Sequence, residues 1–555
     1  MTLLRNIINA LFNKPLLSKQ FLLFCIVPIL FVTVVYFLHL SIGNFHQLSI
    51  DPEYALLYNG IVVGTGTFAI NFIDHPATPL IFIIGFAARA YHLLFAELPY
   101  LHDFLNNPET YIKAANFLNV LLIAFTLSFS AIKIHKYSKS VLLAIGFQLA
   151  LFANHTTVGI SSRLIPEASM IIPLALIATL TIKYIYSSKE NVPKKYLWQF
   201  PLIIAFGVGC KLSFAPMLLF PFILLKTNLR EKLKLALYSF LFCAIFAYPI
   251  LTNFKTSFQW FTNIVSHSGM HGSGESAFIN WEVIPLNCKL LFQLDSVFWG
   301  LLFFNIILVT INFFIPSLSA FGKRVRRAQT SIIITILIIS ALTIKHFAYH
   351  YFMPFLFLKV FLVLLAAFSI KEIITNKPNY NPKKTIPSLT FTIALIFVFF
   401  EGSLIHQNYN QNVNRRTALE NFHREINKKI TDKNAAILVD APYWGGPFEA
   451  YAHAFGFMKT HKRKTYYKTA LKERYDNFYW FIGWDDNFNH WDSFVGFSHI
   501  FNKTNSLYIY SYHPENYKLI NEKLNQFTSN SYEVKSKTLY QNNDSTEKLI
   551  YIQLE

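Results

Sequence analysis

The sequence predicts a polytopic α-helical membrane protein of about eleven transmembrane helices, followed by a small extracytoplasmic α/β domain. Hydrophobic residues make up 53% of the 555 residues and charged residues only 14%, whereas an ordinary soluble domain carries about a quarter charged residues. Charge is scarce up to about position 405 and of ordinary density beyond it. We therefore expect a transmembrane domain over residues 1–405 and a soluble domain over residues 406–555.

Apolar runs of transmembrane or nearly transmembrane length recur along the first domain. The first run follows Arg5, Lys14 and Lys19. It is too long for the core of a signal peptide and has no small-residue cleavage site, so we interpret it as a retained helix. The runs lie at 21–40, 116–133, 139–153, 167–185, 198–210, 212–226, 234–252, 295–316, 331–345, 352–370 and 386–405.

A further apolar run, Leu80–Phe95, contains Arg89, Tyr91 and His92 and is short for a span. If this run lies along the membrane surface, all basic segments fall on one side, which the positive-inside rule makes the cytoplasm. The N-terminus is then cytoplasmic, and residues 406–555 are extracytoplasmic, or periplasmic in a Gram-negative cell. The basic segments are the N-terminus, 133–139, 189–195, 226–234, 323–327 and 371–384.

These basic segments also account for the net charge of +19. The expected partners are therefore anionic membrane lipids rather than nucleic acid. The four cysteines show no C-x-x-C motif and no Cys/His ligand spacing, so the sequence indicates neither a disulfide framework nor a zinc site. We expect the chemistry in the large outer segments, which include the loops 41–115 and 254–294.

Two pairs of titratable residues lie in the first outer loop. Asp51 and Glu53, two residues apart, could act as a general base or bind a divalent cation. Alternatively, Asp51 caps a helix that starts at Pro52, and Glu53 interacts with the positive end of that helix. Asp74 and His75 precede two prolines on a rigid turn, and the alternative there is a simple turn before a helix.

Three charged residues lie at the edges of later apolar runs. Arg163 is an interfacial cation that could bind a phosphate through two hydrogen bonds. Glu167 lies in the first turn of the next helix, where a carboxylate is electrostatically favoured. Lys211 lies between two apolar runs. Such a cation is a functional candidate by default, although its side chain could instead extend to the membrane interface.

Two more outer segments contain basic or titratable residues. Lys345, His346 and Tyr349 lie in one short turn between two spans, and His267 and His271 lie in a Gly- and Ser-rich stretch. Such a stretch suits a mobile loop that closes over a substrate, whereas its glycines disfavour the helix that a two-histidine metal site would need. Carboxylates and cations near the headgroups suit transfer of a group from a lipid-linked phosphate, because cations stabilise the departing phosphate and a carboxylate activates the acceptor.

These motifs resemble those of the GT-C superfamily of membrane glycosyltransferases, both in their order along the chain and in the side of the membrane on which they are expected. That superfamily includes the protein O-mannosyltransferases and the lipid A aminoarabinose transferases. Asp51–Tyr54 is similar to its acidic motif after the first span, and Asp74–Pro79 to its His/Lys-Pro-Pro stretch with the second proline displaced. Gly207–Lys211 is similar to a Gly-x-x-Lys stretch, and Lys345–Pro354 to a basic and aromatic turn. The resemblance covers roughly residues 20–370 and assigns no subfamily.

The resemblance implies inverting transfer of a sugar from a polyprenyl-phosphate donor to a glycan, lipid or protein acceptor. The reaction would take place at the outer face of the cytoplasmic (inner) membrane. Asp51 would be the base, with Glu53 as its support or as a metal ligand. Some members use a divalent cation and others need no metal, so the metal requirement stays open. The candidates for binding the donor phosphate are His75, Arg163, Lys211, and either Lys345 or His346.

Residues 406–555 alternate apolar runs with polar helical stretches, which predicts a small α/β domain. Its many Tyr and Trp residues could stack on an acceptor sugar, although ordinary core packing is the favoured interpretation. The expected strands lie at 436–439, 478–482, 506–510 and 548–553, and the expected helices at 415–430 and 514–527.

Three other functions are compatible with a protein of this architecture. A lipid-linked oligosaccharide flippase or another carrier is expected to place charges at the membrane midplane within internal repeats. Here the candidate charges lie in outer segments, and the two halves show no repeat. A surface-polysaccharide polymerase would share the compartment and the type of donor. A sensor would need far fewer spans than this chain has.

Overall fold

The structure is a computed structural model that divides into two compact units. The first unit comprises Met1–Leu38, Ile73–Leu80 and Asn116–Asn408, and the second comprises His39–Phe72, Ile81–Ala115 and Tyr409–Glu555. The structure describes residues 15–67, 70, 76–187, 193–248, 254–267, 276–315, 318–374, 382–440, 445–460, 464–482, 487–491, 493–528, 532–542 and 547–555.

The first unit is built from helices, several of which continue into the second unit. Short 3₁₀ helices interrupt the α-helices at Leu149–Leu151, Leu212–Leu219 and Met353–Leu358. The described α-helices are Pro15–Ile42, Pro108–Ser138, Val141–Gln148, His155–Ser161, Pro166–Ser169, Ile171–Ile185, Tyr196–Cys210, Phe220–Leu224, Leu229–Phe246, Phe254–Ser266, Ile284–Leu294, Ser296–Phe313, Ala320–Lys345, Tyr349–Phe352, Lys359–Ile374 and Pro382–Lys429.

Eight of the described helices are long and apolar enough to cross a membrane. A ninth span results if the bent pair Val141–Leu151 and His155–Ser161 is counted as one broken span. The polytopic helical architecture is therefore confirmed. The eight include Thr78–Phe95, which qualifies by length and composition. Its placement along the membrane surface stays a prediction.

The remaining predicted runs are helical but do not qualify as single long spans. Tyr196–Cys210 has 15 residues, which at about 1.5 Å per residue extend about 22 Å, less than the hydrocarbon core of about 30 Å. The run Leu212–Leu224 is shorter still and begins as a 3₁₀ helix containing Pro216. Leu229–Phe246 begins with the charged sequence Leu-Arg-Glu-Lys-Leu-Lys. The number of helices that qualify as spans falls below the predicted eleven because these helices are too short or too charged.

Polar side chains inside the first unit are hydrogen-bonded from helix to helix. Gln148 Nε2 donates to the carbonyl of Phe24 at 2.7 Å. Asn305 Nδ2 donates to the carbonyl of Leu362 at 3.2 Å, and Gln329 Nε2 donates to Asn305 Oδ1 at 2.9 Å. Because an apolar interior offers no water to these groups, each bond fixes the position of one helix against its neighbour.

The C-terminal part of the second unit contains a seven-stranded mixed sheet with the order β4-β3-β2-β1-β5-β7-β6. Strands β2, β1 and β5 are parallel, and the other neighbours are antiparallel. Leu438 on β1 lies opposite Tyr479 and Ile509 on the two flanking strands. The strands are β1 Ala436–Asp440, β2 Phe478–Trp480, β3 Phe488–His490, β4 Ser493–Val495, β5 Ser506–Ser511, β6 Val534–Gln541 and β7 Lys548–Leu554.

The predicted α/β fold of this part is confirmed. The four predicted strand segments correspond to β1, β2, β5 and β7, and both predicted helical stretches are helical. Strands β3 and β4 have three residues each, too few to produce an alternating pattern. Strand β6 is a largely exposed edge strand of mixed polarity, so it lacks the apolar run that identifies central strands.

Segments of the first outer loop belong to this same unit. Helix Glu53–Gly64 packs against helix Glu449–Met458, where a Cβ on Gly456 would overlap the ring of Tyr58. The Tyr467 hydroxyl donates to the carbonyl of Tyr58, and Asn59 Nδ2 donates to the carbonyl of Lys459 at 3.3 Å. The helix that follows Asp51 is therefore held by the C-terminal part of the chain. The other described helices of the unit are Phe45–Leu48, Thr78–Phe95, Tyr100–Asn106, Lys464–Arg474, Phe497–Phe501 and Pro514–Thr528.

Candidate functional site

Glu167, Lys211, His350 and Tyr351 form one cluster in the first unit, which we name the Lys211 cluster. The Lys211 ammonium makes an ion pair with the Glu167 carboxylate and lies 4.5 Å from the centre of the Tyr351 ring. His350 Nε2 lies 3.9 Å from Glu167 Oε1. Glu167 and Lys211 are only 3% and 7% exposed, whereas the His350 side chain is 49% exposed. The cluster is thus a buried ion pair with one accessible imidazole.

The local sequence explains how the pair is brought together. Pro166 starts a short helix whose first turn contains Glu167, so the carboxylate lies at the positive end of that helix. Lys211 follows the helix Tyr196–Cys210 in an extended conformation. A Cβ on Gly207 would overlap the ring of Phe214. The glycine therefore allows the chain after Lys211 to fold back against the helix, which directs the lysine inward.

Breaking the pair should destabilise the protein more than removing it completely. Lys211→Met leaves the Glu167 carboxylate buried without its counter-ion, which costs about 3–5 kcal/mol. The double variant Lys211→Met with Glu167→Gln removes both charges and should recover most of the loss. The measurement is the thermal unfolding midpoint in detergent. Equal midpoints for the single and the double variant would show that the two charges are not coupled.

Lys345 and His346 lie at the end of another helix in the same unit. The Lys345 ammonium donates to the carbonyls of Ile264 and Val265 at 3.0 and 2.7 Å, and His346 Nε2 donates to the Ile264 carbonyl at 2.8 Å. These donors satisfy the last carbonyls of helix Phe254–Ser266, where a cation is also favoured by the helix dipole. Both residues therefore hold the segment 254–267 against the helix Ala320–Lys345.

The structure places the other predicted residues of this unit separately. His267 Nδ1 lies 2.9 Å from Ser266 Oγ and 3.2 Å from the carbonyl of Asn263, beside the Lys345 contacts. Arg163 is half-buried two residues after the helix His155–Ser161 ends. The Tyr349 ring is exposed and meets the Phe347 ring edge-on at 4.9 Å. Asp74, His75 and His271 lie outside the described residues, so their roles stay predictions.

In the second unit, the structure places Asp51 at the surface and Glu53 in the interior. Asp51 is exposed, and its carbonyl accepts a hydrogen bond from Ser49 Oγ at 3.0 Å. Glu53 is fully buried in the first turn of helix Glu53–Gly64. The two carboxylates predicted as one acidic motif thus have different surroundings. The carboxylate of Asp51 is therefore accessible to solvent, whereas that of Glu53 is not.

The helix that carries Glu53 also carries two tyrosines with titratable partners. The Tyr54 hydroxyl donates to Glu109 Oε1 at 3.0 Å, and His46 Nδ1 lies 3.2 Å from the same oxygen. The Tyr58 hydroxyl lies 2.7 Å from His453 Nδ1, and His453 Nε2 lies 3.4 Å from Glu449 Oε1. A chain of polar contacts therefore leads from this helix to the Glu449 carboxylate.

The protonation of this chain follows from its surroundings. Burial lowers the pKa of the His453 imidazole, although the hydrogen bond to Glu449 opposes that change. Burial acts to raise the pKa of Glu449, but the hydrogen bond to His453 and nearby positive charge outweigh it and lower that pKa. At neutral pH the pair is therefore a neutral imidazole and a carboxylate. Nε2 then donates to Glu449, and Nδ1 accepts from the Tyr58 hydroxyl.

Acidification should destabilise the second unit through His453. Its lowered pKa means that below about pH 6.5 the unfolded chain binds a proton that the folded chain excludes, so stability falls as the pH falls toward the folded pKa. His453→Gln keeps one donor and one acceptor without titrating. It should flatten the fall of the unfolding midpoint between pH 7.5 and 5.5. His499→Gln, at an exposed position of the same unit, is the control and should keep the wild-type slope.

A second ionic cluster of the first unit was not predicted from the sequence. It comprises Lys359, Asp295, Glu401, Asn154 and His155, and we name it the Lys359 network. The Lys359 ammonium lies 2.6 Å from Asp295 Oδ2 and 3.2 Å from Glu401 Oε1, and it donates to the Ala153 carbonyl at 3.0 Å. Asn154 Nδ2 donates to Asp295 Oδ2 at 2.8 Å, and His155 Nδ1 lies 2.7 Å from Glu401 Oε2.

The sequence contained a signal for this network. Lys359 and Glu401 lie within predicted apolar runs and Asp295 lies at the start of one, and ionisable residues in such runs are functional candidates. The expectation that the charges of interest lie in outer segments missed them. No group of three or more His, Cys, Asp or Glu residues in the described part of the chain could hold a metal ion.

No protein-family model and no curated protein matches the sequence. Two solved structures are similar to it, both of ArnT from Cupriavidus metallidurans, one bound to undecaprenyl phosphate and one in the apo state. Their sequence identities are 9% and 10% and their TM-scores 0.49 and 0.44, and each comparison covers 94% of this chain and 97% of that chain.

Proposed function

We propose that this chain is a membrane glycosyltransferase that transfers a sugar from a polyprenyl-phosphate donor to an acceptor at the outer face of the membrane. The Lys211 cluster supports this proposal most directly. It combines a buried carboxylate–ammonium pair, an aromatic ring and an accessible imidazole at the ends of apolar helices. The phosphate of a lipid-linked donor is a headgroup, so it would meet the protein near the ends of its spans, and its recognition requires cationic donors.

The contacts of the first unit support the alternation of the spans that the charge pattern predicts. Glu167, Lys211 and His350 come from three segment ends assigned to the outer side, and they meet in one cluster. At segment ends assigned to the cytoplasm, Arg324 Nε donates to the Ile185 carbonyl at 3.0 Å, and Arg326 donates to the Asn312 carbonyl at 3.2 Å. These contacts join ends assigned to the same side, as an alternating topology requires.

In the proposed reaction, His350 contacts the donor phosphate, and the Lys211 ammonium stabilises the charge that develops on it. Glu167 holds Lys211 in place and does not contact the phosphate. The acceptor oxygen forms the new bond to the sugar carbon while the bond from that carbon to the phosphate oxygen breaks. The phosphate leaves with the electron pair. The hydroxyl proton passes to a carboxylate, for which Asp51 is proposed because it is the exposed acid of the first-loop motif.

Binding of the lipid phosphate tests the phosphate site. Undecaprenyl phosphate should bind the purified protein in nanodiscs, and undecaprenol, which lacks the phosphate, should bind much more weakly. His350→Ala should weaken binding about 10- to 100-fold, because it removes a charge-assisted hydrogen bond worth about 1.5–3 kcal/mol. Lys323→Ala removes an exposed cation at an end assigned to the cytoplasm and should leave the affinity unchanged. Equal binding of both lipids would overturn the phosphate site.

Transfer itself is tested in cells, because a flippase would bind the same lipid. Asp51→Asn should abolish transfer while leaving expression, folding and undecaprenyl phosphate binding intact, since an amide cannot accept the proton. The measurement is mass spectrometry of surface glycans and of undecaprenyl-linked sugars. Unused donor should accumulate in a form that a membrane-impermeant reagent added outside the cells can modify, whereas loss of a flippase would leave the donor protected at the inner leaflet. Glu515→Gln, in the first turn of helix Pro514–Thr528, is the control. Near-normal transfer by Asp51→Asn would contradict its role as the base.

A further inference from the structure

The Lys359 network contains more charge than stability alone requires. Lys359 is 1% exposed and Asp295 is 8% exposed, and the Glu401 side chain is 14% exposed, so an ammonium and a carboxylate meet where there is almost no water, beside a second carboxylate that is mostly buried. Well-packed apolar residues of similar volume are often as stabilising as a buried ion pair. Buried ionic groups instead restrict the position of the segments that carry them, because any other arrangement leaves a charge unpaired. The network is thus suited to fixing positions.

One segment connects this network to the Lys211 cluster. Lys359 is the first residue of helix Lys359–Ile374 and directly follows the 3₁₀ helix Met353–Leu358. Directly before that 3₁₀ helix lies Tyr349–Phe352, which carries His350 and Tyr351. At about 2 Å per residue, the six 3₁₀ residues extend about 12 Å. The Lys359 contacts therefore fix one end of a short rigid segment, and His350 and Tyr351 lie beyond its other end.

Asp295 reaches the same segment by a second route. Its carboxylate accepts a hydrogen bond from the backbone N–H of Phe298 at 2.9 Å and so caps helix Ser296–Phe313. In the first turn of that helix, the Trp299 ring stacks on Phe352 with centroids 5.3 Å apart and an interplanar angle of 17°. Phe352 is fully buried and adjoins Tyr351. The ion pair between Asp295 and Lys359 thus fixes both the segment and the surface on which it packs.

We propose that the Lys359 network positions His350 and Tyr351 against Glu167 and Lys211. This inference rests on the proposed function of the Lys211 cluster as a phosphate site. Lys359, Asp295 and Glu401 are positioning residues, since they act on the phosphate only through the segment 350–358. If the network is broken, the imidazole of His350 should leave its place beside the Glu167 carboxylate, and the site should lose affinity for the phosphate without losing any group that contacts it.

The test uses a variant that conserves the net charge of the network. Lys359→Met with Asp295→Asn removes one positive and one negative charge, and asparagine can still cap the helix that follows. Undecaprenyl phosphate should bind this variant about 2- to 30-fold more weakly than the wild-type protein. Substitutions that act on a site only through intermediate residues typically change affinity within this range. Without undecaprenyl phosphate, diethyl pyrocarbonate should modify His350 several-fold faster in this variant than in the wild-type protein. The rate is measured by peptide mass spectrometry.

Lys371→Met is the matched control, because Lys371 lies near the other end of helix Lys359–Ile374, over the Phe321 ring. It should change neither measurement. If the double variant does not fold, Glu401→Gln removes one partly exposed partner and should change both measurements in the same direction. Failure of wild-type protein to bind undecaprenyl phosphate would overturn the proposed function, while the reactivity of His350 would still test the positioning. A folded variant with unchanged affinity and unchanged His350 reactivity would overturn the inference.

Discussion

The arrangement of several helix ends in the first unit depends on the Lys359 ammonium, which is almost fully buried. It joins the turn at Ala153, the helix cap Asp295 and Glu401 of the long helix Pro382–Lys429. In an apolar interior, separating any of these groups leaves a charge without a partner, at a cost of several kcal/mol. Apolar side chains tolerate small shifts between helices, but this network does not. The ends of these segments are therefore restricted to a single arrangement. The apolar helices supply most of the buried surface.

The second unit depends on a different interaction, which connects residues distant in the sequence. His453 lies between Tyr58 of the first loop and Glu449 of the C-terminal part, and both of its ring nitrogens have partners. The helix Glu53–Gly64 is consequently part of a packed α/β unit rather than of a free loop. This gives the C-terminal part a physical role, because it holds the helix that begins next to Asp51. The sequence boundary near residue 405 separates polar from apolar composition, whereas the contacts group the first loop with the polar part.

Features with a local or periodic signal could be predicted from the sequence. Long apolar runs predicted most of the spans, and β1, β2, β5 and β7 were recognised because central strands are rich in apolar residues. The pair of Glu167 and Lys211 was predicted only as two separate candidates, since no local pattern shows that residues 44 positions apart are in contact. His350 was included only as part of the turn Lys345–Pro354 and was not named as a site residue, because its approach to Glu167 depends on tertiary packing. The Lys359 network requires four distant segments to meet, which no single run of residues indicates.

If the Lys211 cluster is the proposed phosphate site, its charge affects how readily the lipid phosphate is released after transfer. Glu167 neutralises Lys211, so the buried pair has no net charge, and the accessible His350 imidazole is the remaining hydrogen-bonding group of the cluster. A sugar-linked phosphodiester carries one negative charge, whereas the phosphate monoester left after transfer carries nearly two at neutral pH. A more strongly cationic site would bind the product more tightly than the donor and would retain it. A paired lysine with one accessible imidazole can stabilise the charge that develops during transfer and still release the lipid phosphate. On this basis Glu167 limits the charge of the site as well as orienting Lys211.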